Sequence, residues 1–284
     1  NGKVSEGLRS SLVQLIIQIL IAQKTFLEDQ TQIEALHELR VALRRLRSML
    51  EFSKKLIPEE QYQWYQAELR KIGQSLGQLR DLDVAYEHYK QCCEVLANED
   101  KASLGQLLTR CRLSEAKNLH KALQNGLASP LLLDLWAALL DGSMEKFSDH
   151  DLTMEEYAIK GLTGWIKAIN KQGRSIDWGN TQTVHKVRLQ IKKIKYVTQL
   201  LQPVLGEKPQ FVFRLETLQD KLGLLTDYES TNTFLTNLVR KNAAKALHRE
   251  SGMVIGWHSR NKLLIENKMD KYWGRFYRLT QKWE

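Results

Sequence analysis

Two segments of this sequence carry residue types and spacings that could do chemistry. His37, Arg40, Arg44, Arg45 and Arg47 stand in HELRVALRRLR, and His185, Arg188, Lys192, Lys193 and Lys195 occupy the matching positions of HKVRLQIKKIK. On a helix, at about 100° per residue, His37, Arg40, Arg44 and Arg47 fall within a sector of roughly 80°. Leu39, Leu43, Leu46 and Leu50 occupy the opposite side. Val187, Ile191 and Ile194 oppose the second row in the same way, and Arg45 and Lys193 point off the main rows as flanking groups. Like charges three or four residues apart destabilise a helix by about 0.2 to 0.5 kcal/mol per pair, so tertiary partners or an anionic ligand must offset the repulsion. A linear phosphate polymer would do so along its length. The helical rise spaces Arg40 and Arg44 by about 6 Å and makes the row about 15 Å long, enough for several successive phosphates. Arginine suits phosphate through its bidentate fork and lysine as a mobile point charge. Each histidine fits either a ligand contact or a structural hydrogen bond where helices meet.

A second pair of segments follows in the same order. Leu76, Gly77, Asp81 and Asp83 in LGQLRDLD correspond to Leu222, Gly223, Asp227 and Glu229 in LGLLTDYE. These carboxylates could be catalytic acids, but pairing with the arginines or capping the following helix is the better-supported role. Gly77 and Gly223 sit in helical patterns at a cost of about 1 kcal/mol, which points to close helix approach. His88 and Cys92 lie at i, i+4 without further ligands nearby, a spacing that core packing explains better than a metal. Trp257, His258, Arg260, Lys262, Trp273, Arg275, Phe276 and Arg278 mix aromatics with cations. Such a run could stack bases, or form a packed helix with a basic outer side. No phosphate-binding glycine loop, G-x-S-x-G or H-E-x-x-H motif occurs.

The elements that must position these residues read as helices. The four prolines, Pro58, Pro130, Pro203 and Pro209, fall where apolar periodicity stops or restarts, as the missing N–H requires. Ser129-Pro130 predicts an N-cap followed by proline at the first helical position, and Thr153 with Glu156 predicts a capping box. Asn125-Gly126 and Asp141-Gly142 each end a helical pattern. Helices are expected near 5–29, 31–56, 59–79, 81–97, 101–125, 130–141, 153–170, 181–202, 208–224, 227–248 and 253–282. The polar stretch 141–151 is the best linker. Two matched blocks in the same order point to an internal duplication, with repeats over 1–142 and 151–284.

Composition agrees with this reading. The 42 Lys and Arg exceed the 33 Asp and Glu, giving +9 and a pI of about 9.3, which favours an anionic partner. Cys92, Cys93 and Cys111 form no C-x-x-C pair, so neither a disulfide framework nor zinc is expected and a reducing cytoplasm fits. The apolar stretch 12–22 is interrupted by Gln14 and Gln18 and is shorter than the ~20 residues of a membrane span. It is expected to be a core helix.

The H-x-x-R-x-x-x-R-R-x-R helix from His37, its lysine-bearing partner from His185, L-G-x-x-R-D-x-D-V over 76–84, and Gly256-Trp257 opening the last helix together resemble the CHAD family, the conserved histidine α-helical domains. The resemblance covers essentially the whole chain. It implies an all-α fold of two helical bundles related by pseudo-twofold symmetry, with the basic helices facing a central channel. It further implies binding of inorganic polyphosphate and association with polyphosphate granules. Some family members are fused to a triphosphate-cleaving CYTH domain, whose acidic β-barrel this helical sequence lacks. Carried over by position, the polyphosphate contacts are the ten residues of the two rows, with Arg70 and Arg80 as further lining groups. Glu216 stands opposite Arg70 and Thr226 opposite Arg80, so the first half is expected to hold anion more strongly. The expected function is non-enzymatic polyphosphate binding without metal or cofactor. Nucleic-acid binding is the alternative, and a phosphohydrolase using His37 or His185 is a more distant third, since phosphoryl transfer generally needs a divalent metal or a carboxylate cluster.

Overall fold

A computed structural model describes residues 4–96, 103–144, 152–173, 176–240 and 242–281. The described residues form eleven α-helices and one 3-10 turn (Lys54–Leu56). In order these are α1 (Val4–Glu28), α2 (Ile33–Phe52), α3 (Glu59–Ser75), α4 (Gly77–Leu96), α5 (Ser103–Gln124), α6 (Ser129–Leu140), α7 (Met154–Gln172), α8 (Thr181–Leu200), α9 (Gln202–Leu205), α10 (Pro209–Val239) and α11 (Lys245–Thr280). The all-helical expectation therefore holds. Most of the expected linker, residues 145–151, lies outside the described residues.

Local chemistry explains most helix ends. The capping box forms: the Thr153 hydroxyl accepts from the Glu156 N–H, and the Glu156 carboxylate accepts from the Thr153 N–H at 2.8 Å. Asn180 caps α8 by accepting from the Thr183 N–H at 3.0 Å. Gly126 closes α5 at φ 88°, a left-handed conformation that costs glycine little. Ser129 does not cap α6 as expected. The helix already includes it, with Ala128 at the N-cap, and its hydroxyl accepts from Gln23 Nε2 of α1 at 2.9 Å.

Two boundaries near the end differ from expectation. The break placed between 224 and 227 is absent, because Thr226 turns its hydroxyl back onto the Leu222 and Gly223 carbonyls, both at 3.0 Å, and stays inside α10. The break comes instead after Val239. There the Asn242 N–H donates to the Val239 carbonyl and its side-chain oxygen accepts from the Ala244 N–H. Consequently Gly256-Trp257 lies inside α11 rather than at its start.

Packing joins the helices around one contiguous apolar core. It draws Leu15, Ile16 and Ile19 from α1, Leu36, Leu43 and Leu46 from α2, Leu162 and Ile166 from α7, Val187 and Ile191 from α8, Leu215 and Leu222 from α10, and Phe276 from α11. A smaller cluster around Leu82, Ala85, Leu108, Leu235 and Val254 lies between α4, α5, α10 and α11. Among the described residues α1 alone is long and apolar enough by itself to cross a membrane, but Leu8, Leu12, Leu15, Ile16, Ile19 and Phe26 are buried in the core. The expectation of a core helix holds. The helices that position the cations, α2 and α8, pack against each other. Arg44 Nε donates to the Tyr196 hydroxyl at 3.4 Å and Lys193 Nζ pairs with Glu51 at 2.7 Å. As α2 advances from 44 to 51 its partner retreats from 196 to 193, so the two helices run antiparallel.

Candidate functional site

Burying the leucine stripe of α2 and the Val/Ile stripe of α8 leaves their cationic sides facing one hollow of about 900 Å3. His37, Arg40, Arg44 and Arg45 of α2 line it, together with Arg80 of α4 and Arg188, Lys192 and Lys195 of α8. A second hollow of about 710 Å3 shares Arg40, Arg44 and Asp81 with the first and adds Arg47 and Arg70. The structure thus gathers most of the expected residues around two adjoining spaces. Two do not join the lining: His185, near the start of α8, and Lys193, which turns to Glu51 on α2. Lys193 has the right spacing on its own helix, but a carboxylate on the neighbouring helix takes its charge.

The cations differ in how far they are already neutralised. In the second half, Arg188 pairs with Asp227 at 3.1 Å, and Lys195 lies 3.6 Å from Glu216, which also accepts from Gln199 Nε2. In the first half, Arg40 donates to the Gly73 carbonyl at 3.4 Å and Arg47 to Gln66 Oε1 at 3.1 Å. Among the described residues, Arg40, Arg44, Arg47, Arg70 and Arg80 have no carboxylate within ion-pair distance. Charge is therefore left over in the hollow, mainly on α2, α3 and α4.

Burial, more than any neighbouring charge, shifts the titrating groups of the hollow. Burial, reinforced by Arg188 and Arg44, pushes the Lys192 ammonium down to about 7. Burial also pushes Arg40 down to about 10, which leaves it charged at neutral pH. His37 is lowered by burial and then by Arg80 and Arg44, and His185 by burial and then by Arg188 and Lys192. Asp81 is raised by burial, against the pull of Arg40 and Arg80.

The remaining candidates find structural partners. Asp83 is buried and accepts from Arg112 Nε at 2.7 Å, Asp227 holds Arg188, and Glu229 holds Lys262 at 3.0 Å. Ion pairing is thus what these three carboxylates do, though Asp83 and Glu229 pair outside the basic rows. Gly77 and Gly223 do not mark close backbone contact. A β-carbon on either would have ordinary van der Waals room, with Arg40 Nη1 and Arg188 Nε, respectively, at 3.9 Å. His88 packs in a buried aromatic cluster with Tyr228, Trp257 and His258, and Cys92 is buried in the smaller core. His258, Trp273 and Phe276 are buried as well, so the C-terminal run is a packed helix and these rings are not available to stack bases.

Among the lining residues that the sequence did not single out are Tyr196 and Phe234. Tyr196 lies on the Lys192 side of α8 at i+4 and meets Arg44 across the helix contact. Phe234 of α10 lines both hollows. For each the signal was helical spacing alone: Tyr196 continues the basic row, and Phe234 follows Asp227 at i+7.

A family model for the CHAD domain matches residues 13–236. The chain belongs to the CHAD family. This CHAD domain superposes on the crystal structure of the CHAD domain from the plant Ricinus communis with a TM-score of 0.80, at 19% identity over 98% of this chain and 92% of that one. It also superposes on PptA from Streptomyces chartreusis with a TM-score of 0.73, at 14% identity over 96% of this chain and 100% of that one. At such identities the likeness is one of fold. The uncharacterised proteins MT2285 and Rv2226, from two strains of Mycobacterium tuberculosis, are each 24% identical over 229 residues. The matches cover 71% of this chain and only 43% of each relative, so this chain spans less than half the length of those proteins.

Proposed function

We propose that this CHAD domain binds inorganic polyphosphate, without cleaving it, along the hollow between α2, α8, α4 and α10. The observation that carries the reading is the set of cations lining two adjoining spaces, of which Arg40, Arg44, Arg47, Arg70 and Arg80 lack carboxylate partners among the described residues. A polyanion supplies the missing counter-charge along its length, and in a half-buried site each charge-assisted contact is stronger than in open water. A single phosphate chain is far thinner than a DNA duplex and is the better match to a hollow of about 900 Å3 walled by helices.

The same reading treats the chain as two repeats around a pseudo-twofold axis. Arg40 with Gly77 and Asp81, and Arg188 with Gly223 and Asp227, supply the matching halves. The repeats have diverged in charge: Asp227 and Glu216 already engage the cations of the second half, so the first half holds the anion more strongly. His37 takes part from the lining, whereas His185 and Lys193 act at the rim or not at all. As a binding module the protein is placed by this reading at cytoplasmic polyphosphate granules.

Titration of long-chain polyphosphate into the full chain at several salt concentrations tests the proposal. Affinity is expected to fall linearly in log–log terms as counterions are released, by analogy with nucleic-acid binding. Excess duplex or single-stranded DNA is expected not to displace the ligand. Salt-independent binding, or equal displacement by single-stranded DNA at the same phosphate concentration, overturns it.

A further inference from the structure

The α10 wall of the hollow has a chemistry that a bare phosphate chain cannot use. Leu224, Asp227, Ser230, Thr231 and Phe234 share one face of α10, at helical spacing, and all line the larger hollow. Phe234 lines the smaller hollow too, where Arg40, Arg44 and Asp81 are again its neighbours in the lining. Its ring packs against the smaller apolar core while part of it stays exposed. An aromatic ring is therefore anchored where the two cationic spaces meet.

For a ligand made only of phosphate oxygens this placement is unhelpful. The ring offers no hydrogen-bond donor, and holding a polyanion against it costs solvation. The carboxylate of Asp81, which lines both hollows with it, is an acceptor, which repels phosphate oxygens rather than binding them. A planar base attached to a phosphate chain inverts each of these points. It stacks on the ring, guanidinium groups of the kind carried by Arg40 and Arg44 stack on a base as readily as they bind phosphate, and amino or ribose hydroxyl groups donate to a carboxylate. The larger hollow, at about 900 Å3, lies within the size range of pockets that enclose small-molecule ligands.

We infer that the junction of the two hollows is a nucleobase subsite, and that this CHAD domain takes nucleoside polyphosphates with the base on Phe234 and the phosphate chain on Arg40, Arg44 and Lys192. The inference rests on the proposed phosphate-binding role of the basic row and adds a ligand class to it.

Calorimetry on the full chain, with adenosine 5′-triphosphate and inorganic triphosphate compared in EDTA at equal ionic strength, tests it. The nucleotide is expected to bind about fivefold or more tightly than the inorganic chain, the fold-change of one aromatic–base stack. Phe234→Leu is expected to bring that ratio close to one, and Phe234→Trp to preserve it. A ratio near one in the wild type, or a ratio unchanged by Phe234→Leu, overturns the subsite while leaving the polyphosphate reading standing. Failure of both triphosphates and of long-chain polyphosphate to bind removes the underlying reading, and the subsite with it. Should Phe234→Leu fail to fold, saturation transfer from the wild-type protein to bound nucleotide decides the matter: strong transfer to the adenine protons supports the subsite, and its absence overturns it.

Discussion

Lys192 lines the hollow with Arg40, Arg44 and Arg188, and burial, reinforced by these neighbouring charges, pushes its ammonium down to about 7. A phosphate placed beside it favours the charged form and raises that value again. Binding above pH 7 must therefore take up a proton, so affinity is expected to fall as pH rises above 7, by up to tenfold per pH unit. Below that point Lys192 is charged in both states and contributes no slope. His37 and His185 are lowered from the ordinary histidine value, first by burial and then by neighbouring cations, so any tightening they add is displaced toward lower pH than for a free histidine. Calorimetry between pH 6.5 and 9 at fixed ionic strength checks this: Lys192→Arg should flatten the alkaline limb, and an unchanged slope would show that Lys192 does not meet the anion. Stability follows the opposite course. Between about 7 and the ordinary lysine value of 10.5 the unfolded chain holds the extra proton, so this group makes the free protein more stable as pH rises through that window. Lys192→Met is accordingly expected to raise the thermal midpoint at pH 7 and to weaken polyphosphate binding, a trade of stability against function.

Single elements show which features could be read in advance. The rows on α2 and α8 were legible because each is set by one helix: period 3.6 puts cations on one side and leucine, valine or isoleucine on the other. The capping box at Thr153 was legible for the same reason, since all its atoms lie within one turn. Features that need a second helix were not. The Lys193–Glu51 pair, the Arg44–Tyr196 contact and the Gln23–Ser129 bond each join residues more than a hundred positions apart. The break misplaced near residue 225 has a tertiary cause in part, because Thr226 is buried, although its hydroxyl is satisfied locally by the Leu222 carbonyl of α10. The seat of Trp273 shows how tight such contacts become. A β-carbon on Gly173, at the end of α7, would collide with the Trp273 indole of α11. Overpacking of that kind typically costs about 1 to 3 kcal/mol. At about 2 to 4 °C per kcal/mol for domains near this size, Gly173→Ala is expected to lower the thermal midpoint by several degrees. Trp273→Leu should cost less in the Gly173→Ala background than in the wild type, the sign of a shared clash; a midpoint unaffected by Gly173→Ala would show that the indole moves aside freely.

Across the whole molecule the first and second halves of the chain share their interior. The contiguous core takes residues from α1, α2 and α3 as well as from α7, α8 and α10, and the Tyr157 hydroxyl donates to the Phe52 carbonyl at 2.9 Å beside edge-on ring contacts of Phe52 with Tyr157 and Trp165. Heat is therefore expected to unfold the chain in one transition, with calorimetric and van't Hoff enthalpies in agreement. Two separate transitions would instead match repeats that fold independently over 1–142 and 151–284. The shared interior also has a functional consequence, because it fixes α2 against α8 and so sets the distance between the two rows. Cations that each helix presents separately become one surface only through this packing.

The most direct test of that claim is calorimetric titration of long-chain polyphosphate into the wild type and into an Arg44→Glu/Lys192→Glu double variant, with DNA as competitor. The account predicts tight, DNA-resistant binding to the wild type, and its loss in a double variant that still folds. Binding that survives both charge reversals would contradict a single site built from both rows.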